Sequence, residues 1–253
     1  MTKTQDAKLG KREVRASMWR LLEERDVARF PLPITGRIPN FAGADEAAKK
    51  LARTTVFQRA DTVKVNPDAP QRWVRLMALE AGKRVYVPSP RLRSGFLLLH
   101  PREIPKSKFL EASSIRGAFK YGRTVSLRGL EAVDLVVMGC VAVTASGARL
   151  GKGGGYSEIE YAVLSELGLL QHDVPVVTTV HDLQVVEQAW PTEAHDVVVD
   201  VICTPTATIE TARHGERPTG ILWERITEEK LRSMPILSEL RSREHGPLGP
   251  RNR

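Results

Sequence analysis

The residues with the greatest capacity for chemistry stand together in Gly147-Ala148-Arg149-Leu150-Gly151-Lys152-Gly153-Gly154-Gly155-Tyr156. Four glycines in the five positions from Gly151 to Gly155 free the backbone to turn its N–H groups toward one point, and Arg149 and Lys152 add positive charge. That combination suits an anion, and phosphate above all. Two common phosphate loops do not match it. A Walker A loop places four residues between its first glycine and a GK pair and then requires Ser or Thr, whereas three residues separate Gly147 from Gly151 and Gly153 follows Lys152. The dinucleotide fingerprint GxGxxG fails at Tyr156, where its third glycine would stand.

Such a loop needs a strand before it and a helix after it. The apolar run Val133 to Val143 reads as the strand, and Ile159, Ala162, Val163, Glu166 and Leu167 follow at helical spacing. Ser157 and Glu160 have the S-x-x-E spacing of a capping box, so a helix N-terminus is expected just after the glycines, where it favours anions. Upstream, the pattern predicts helices from about Asp6 to Asp26, after Asp45 through Ala47 to Ala52, and from Ala69 to Ala81. Strands are expected at Thr62 to Val65, Arg84 to Val87, Val174 to Val180 and Val197 to Cys203. Helices between apolar strands imply an α/β fold of three layers, a mostly parallel Rossmann-like sheet with helices on both faces, and a ligand site beyond the carboxyl ends of the strands. The alternation fades beyond Thr211. Residues 1–210 therefore read as one α/β domain and 211–253 as a C-terminal extension with a short helix and a basic, flexible tail.

On the first helix, Lys11 and Arg15 lie at roughly 0° and 40° around the axis, between Met18 and Leu22 of the apolar stripe. A basic pair on an inward face needs an anionic partner. Other candidates are weaker. His181 and Asp182 are neighbours on an extended segment and face opposite ways, so they do not form an acid–base pair. Cys140 reads as a small buried residue. The two cysteines make neither a disulfide framework nor a zinc pattern, which fits a reducing compartment. No apolar run approaches the roughly 18 residues needed to span a bilayer, and the polar N-terminus has no signal-peptide core, so a cytoplasmic protein is expected.

The net charge of +8 is concentrated in two stretches. Arg102 to Arg128 holds seven basic and two acidic residues, and Arg241 to Arg253 four basic and one acidic. A basic rim over an anionic ligand and a basic tail account for the total. Aromatic residues make up only 6% and no RNP-like motif occurs, so a small-molecule partner is expected rather than nucleic acid or membrane. A monomer or a homodimer is compatible with the sequence.

The loop resembles that of the 5-formyltetrahydrofolate cyclo-ligase family, in which an apolar strand leads into G-x-R-L-G-x-G-x-G-Y. Asp134 to Ala142 followed by Gly147 to Tyr156 matches that order. Lys11 and Arg15 are similar to a Lys/Arg pair on the family's first helix that reaches nucleotide phosphates. Gln184-Val185-Val186, Pro191-Thr192-Glu193-Ala194-His195-Asp196 and the strand to Thr204 match a third family segment. The resemblance covers roughly residues 8 to 208. It implies a fold like that of cyclo-ligases and of NagB, RpiA and CoA transferases, with ATP and Mg²⁺ as cofactors. ATP would activate the formyl oxygen of 5-formyltetrahydrofolate, and ring closure would give 5,10-methenyltetrahydrofolate. Arg149 and Lys152 would be catalytic. Lys11, Arg15, Gly147, Arg149, Leu150, Gly151, Lys152, Gly153, Gly154, Gly155 and Tyr156 would bind the nucleotide, and Asp196 with Glu158 the metal.

Three departures mark the chain as divergent. The family loop continues Tyr-Tyr-Asp-Arg, where Tyr156 is followed by Ser157-Glu158-Ile159; Val143 replaces a phenylalanine; and a glutamate expected after the early strand has no counterpart in Val65-Asn66-Pro67-Asp68. They leave open a relative that activates a different small carbonyl or amide compound. A non-catalytic nucleotide- or RNA-binding module is the remaining alternative.

Overall fold

Short apolar runs separated by helix-period stripes fold as strands and helices in alternation. The computed structural model describes residues 2–187, 190–212 and 215–244. In chain order these form helix α1 (Thr2–Glu24), a ribbon of β1 (Ala28–Arg29) and β2 (Asn40–Phe41), and helices α2 (Ala44–Ala52) and α3 (Thr55–Arg59). Strand β3 (Thr62–Val65), helix α4 (Arg72–Glu80), strands β4 (Arg84–Pro88) and β5 (Phe96–Leu99), helices α5 (Phe109–Ala112) and α6 (Ile115–Tyr121) and strand β6 (Arg123–Val125) come next. The second half contains β7 (Leu135–Val137), β8 (Ala142–Thr144), β9 (Arg149–Leu150), α7 (Tyr156–Glu166), β10 (Val176–Thr179), β11 (Val185–Val186), β12 (Val201–Cys203) and β13 (Thr208–Glu210), then α8 (Glu228–Ser233) and α9 (Pro235–Glu244).

Eight strands make the main sheet in the order β13-β12-β10-β7-β3-β4-β5-β6. The five from β12 to β4 are parallel, with antiparallel β13 on one edge and β5 and β6 on the other. A strand sends alternate side chains to opposite faces. Val63, Val65, Val85, Val87, Leu135 and Val137 meet Leu51, Phe57, Val74 and Phe109 of the helices α2 to α5. Tyr86, Val136, Val176 and Ile202 point the other way, into a core with Ile159 and Val163 of α7 and Leu237 and Leu240 of α9. This is the three-layer α/β architecture. In β3 the residue between Val63 and Val65 is Lys64, so a charge sits in the register row that its neighbours fill with Tyr86 and Val136.

The run Val133 to Val143 is two strands rather than one. At Gly139 the chain passes so close to α4 that a Cβ would lie 2.6 Å from Gln71 Oε1 and 2.8 Å from Ile38 Cγ2. Only glycine fits there. The chain turns out of the main sheet, and β8 pairs with β11 and β9 in a separate three-stranded sheet. That small sheet receives Val14, Met18 and Leu22 of α1 on Ala142 and Leu150. The strand expected at Val197 begins only at Val201, because the Val199 N–H bonds the Gly147 carbonyl at 2.9 Å. The helix expected from Ala69 starts at Arg72. Residues 215–244 pack onto the α7 face through Ile221, Met234, Ile236, Leu237 and Leu240. Residues 245–253, most of the basic tail, lie outside the described residues.

Candidate active site

The glycine-rich loop links β9 to α7, and its shape rests on a buried charge below it. Arg149, on β9, is buried and reaches under the loop, where Nη1 donates to the Gly139 carbonyl at 2.9 Å and Nη2 to Glu158 Oε1 in the first turn of α7. Burial lowers the Arg149 pKa; Cys140, Asp196 and Glu160 act in the opposite sense. The N-cap of α7 is Gly155, in the left-handed region at φ 66°, with no side-chain cap. The capping box expected from Ser157 and Glu160 does not form, because both side chains are turned inward. Ser157 Oγ accepts from Asn66 Nδ2 at 3.0 Å, and Glu160 Oε2 accepts from Lys64 Nζ at 2.6 Å and Asn66 Nδ2 at 2.9 Å. Burial pulls Lys64 down and Glu160 up, and their contact opposes both shifts. A buried ion pair of this kind ties β3 to the start of α7.

Above the loop lies a cavity of about 700 Å³. Arg149, Leu150, Gly151, Gly153, Gly154 and Gly155 form its floor, with α1 on one side and residues 218–230 on the other. The first N–H groups of α7 have no acceptor within their helix, as at any helix start. The small sheet holds α1 so that Arg15 Nε donates to the Gly151 carbonyl at 2.6 Å, and a Cβ on Gly153 would lie 3.5 Å from Arg15 Cζ. Lys11, one turn away, is buried and bonds Asp196 Oδ2 at 2.7 Å and Glu193 Oε2 at 3.3 Å. Six cationic side chains line the cavity, Lys11, Arg12, Arg15, Arg149, Arg225 and Lys230, against the carboxylates Glu158, Glu193 and Asp196. The balance is positive, as a polyanion requires.

Sequence-predicted residues separate into three groups. Lys11, Arg15, Arg149, Leu150, Gly151, Gly153, Gly154, Gly155, Glu158 and Asp196 meet at the cavity. Gly147 lies apart from it in the β8–β9 turn, where its φ is 87° and a Cβ would collide with the Val199 carbonyl at 2.3 Å. Lys152 points away, with Nζ 3.3 Å from Asp68 Oδ1, and Tyr156 packs against the α7-side core. None of the basic stretch Arg102 to Arg128 lines the cavity. Cys140 is buried 3.4 Å from Thr178 Oγ1, and burial pushes its thiol up to about 11. His181 caps a short 3₁₀ turn while Asp182 accepts from Thr204 Oγ1 at 2.5 Å, so the two do not act together.

Sequence reasoning missed six participants, among them Arg12, which helical spacing turns away from Lys11 and Arg15 but which lines the same cavity. Glu193 and His195 lie inside the P-x-E-x-H-D turn and were legible from it. Arg225 Nη1 bonds Glu193 Oε1 and His195 Nδ1, each at 3.0 Å. Burial holds His195 below the ordinary histidine range, with Asp196 and Glu193 acting in the opposite sense. Lys64 was visible as a lone charge in the apolar run TVKV; Lys230 gave no signal.

The carboxylate donors suit a magnesium ion held chiefly by phosphate and water oxygens. Asp196 commits Oδ2 to Lys11 and the Glu193 N–H, while its Oδ1 lies 3.7 Å from His195 Nε2 and makes no hydrogen bond to a described residue, and Glu158 is taken by Arg149. One protein oxygen is enough for Mg²⁺ in such a role. Among the described residues no group of three or more His, Cys, Asp or Glu is placed to hold a metal ion by itself. No described helix is long and apolar enough to cross a membrane.

A family model described as the 5-formyltetrahydrofolate cyclo-ligase family matches residues 7–205. Methenyltetrahydrofolate synthase domain-containing proteins of Mus musculus and Homo sapiens are 42% and 40% identical to the chain over 239 residues, in each case 93% of it. Those matches cover 64% and 62% of the two relatives, so the chain spans less than two thirds of their length. The NMR structure of Aquifex aeolicus 5,10-methenyltetrahydrofolate synthetase aligns with 81% of this chain and 94% of its own at 19% identity, with a TM-score of 0.49.

Proposed function

The chain belongs to the 5-formyltetrahydrofolate cyclo-ligase family, and from that premise we propose that it converts 5-formyltetrahydrofolate to 5,10-methenyltetrahydrofolate, using ATP with Mg²⁺ and releasing ADP and phosphate. The formyl oxygen takes the γ-phosphoryl group, the neighbouring nitrogen closes on the activated carbon, and the oxygen departs with phosphate. Phosphoryl transfer of this kind depends on positioning and charge neutralisation. The observation that carries the reading is a glycine loop and helix start facing a cavity whose unpaired side chains are cationic.

On this reading the chain's residues divide the work. Arg15 and the loop amides would hold phosphate oxygens, because Arg15 spends one donor on Gly151 and forms no direct ion pair with a described carboxylate. Lys152 would join them by leaving Asp68, to which its exposed pair is weak. Arg149 would fix the loop rather than meet the ligand, and Lys11 would hold Asp196 and Glu193 in place. Mg²⁺, when bound, would neutralise phosphate charge beside Asp196. Residues 1–210 form the catalytic domain in this account and 211–253 an extension. Two free, buried thiols accord with the cytoplasm.

One observation favours a different acceptor. The turn after β3, where the family resemblance expects a glutamate, is committed internally: Asn66 to Glu160 and Ser157, Asp68 to Lys152. A relative activating another small carbonyl or amide compound is the second reading. Mixing the protein with Mg-ATP and 5-formyltetrahydrofolate and following methenyltetrahydrofolate absorbance decides between them. ATP-dependent product supports the first; ATP binding without product supports the second.

A further inference from the structure

Residues 215–244 lie beyond the segment that the family model matches, yet they supply one wall of the cavity. The Ile221 N–H bonds Glu166 Oε2 of α7 at 2.9 Å, Arg225 bonds Glu193 and His195, and Met234 and Leu237 are fully buried in the α7-side core. The wall is thus anchored at three places. From it, Ile221, Leu222 and Ile226 present apolar surface to the cavity, and Lys230 on α8 presents its ammonium.

Lys230 Nζ sits 3.0 Å from where a Cβ on Gly155 would stand, against the N-cap of α7, and Arg15 Cζ sits 3.5 Å from where one on Gly153 would stand. Two cations from opposite ends of the chain thus reach the loop. Among the described residues the Lys230 ammonium has no hydrogen-bond or ion-pair partner, although it is half-buried and burial lowers its pKa. A partly desolvated ammonium without an acceptor is costly unless an anion joins it. No loop carbonyl lies within hydrogen-bond reach of Lys230 Nζ, and the exposed N–H groups at the start of α7 would share an incoming anion with it.

We propose that Lys230 is a phosphate-binding residue of this cavity, supplied by the segment beyond the family match and acting with Arg15 at the glycine loop. The proposal rests on the nucleotide reading of the same cavity, but it concerns an anion contact and is tested apart from turnover. Calorimetric titrations of ATP and of inorganic tripolyphosphate into the full chain, Lys230→Met, Lys230→Arg and the control Arg232→Met are the experiment. Arg232 lies on the same helix, is exposed and is outside the cavity, so its loss removes the same charge without the contact.

Lys230→Met is expected to weaken both ligands roughly tenfold, as loss of one charge-assisted phosphate bond does. Lys230→Arg should restore most of the affinity, and Arg232→Met should stay near wild type, with the melting temperature of each unchanged. Unaltered affinity in Lys230→Met, or equal weakening in Arg232→Met, overturns the proposal and leaves the nucleotide reading standing. Lys230-dependent binding of tripolyphosphate without binding of ATP supports the anion contact and removes the nucleotide reading. A wild-type chain that binds neither ligand overturns both.

Discussion

On the sheet side of the glycine-rich loop, Lys64 and Arg149 are buried against Glu160 and Glu158, whereas on the cavity side Arg12, Arg15 and Lys230 have no carboxylate partner among the described residues. Both groups carry cations, and both lie around the glycine loop and the first turns of α7. The difference is whether each cation's charge is already neutralised. A buried pair has surrendered its solvation and is satisfied only by its fixed partner, so it holds structure. A cation left unpaired beside a helix start keeps its capacity for an incoming anion. Paired charges here build the loop, and unpaired charges equip it to bind.

Removing one member of the most buried pair should have the largest effect. Lys64→Met leaves Glu160 in the core without its cation and is expected to cost about 3–5 kcal/mol in denaturant unfolding. Lys64→Met with Glu160→Leu should recover most of that loss; equal instability in the double variant would show that the pair does not act as a unit. Arg149→Met should cost about 3 kcal/mol for the same reason, with ATP binding weakened as the loop loses its tie to Gly139. Unchanged stability with weakened binding would instead move Arg149 to the cavity side of the comparison. Lys152→Ala breaks an exposed pair with Asp68 and should change stability by about 0–1 kcal/mol.

The smallest expected effect is a pH dependence at the rim. Burial depresses His195 in the folded chain despite Asp196 and Glu193. The unfolded state therefore takes up the proton first, and the stabilisation is complete above the ordinary histidine pKa of about 6.5 and declines as pH falls below it. Melting temperature measured from pH 8 to pH 5 should fall over the acid half, and His195→Asn should flatten part of that slope. His181, also depressed by burial, adds to the slope in the same direction.

Much of this was legible in the sequence. Short apolar runs located β3, β4 and β10, and the G-x-R-L-G-x-G-x-G-Y spacing located the loop and the family. What was hidden depended on contacts between distant segments. The apparent capping box at Ser157 and Glu160 dissolved because Asn66 and Lys64 offered both side chains stronger partners. The long strand after Val133 broke because Gln71 and Ile38 crowd Gly139. Arg149, given a nucleotide contact by the family resemblance, lines the cavity, but its partners Gly139 and Glu158 come from segments that sequence alone does not place beside it. Lys230 lies on a six-residue helix whose local pattern says nothing of a cavity.

The division between binding and building charges is tested most directly at Arg15, through calorimetric titration of ATP into Arg15→Ala alongside its unfolding midpoint. Affinity should fall roughly tenfold or more, the loss of one charge-assisted bond to phosphate, while the midpoint moves little. Unchanged affinity, or a loss of affinity matched by a loss of stability, would contradict the account.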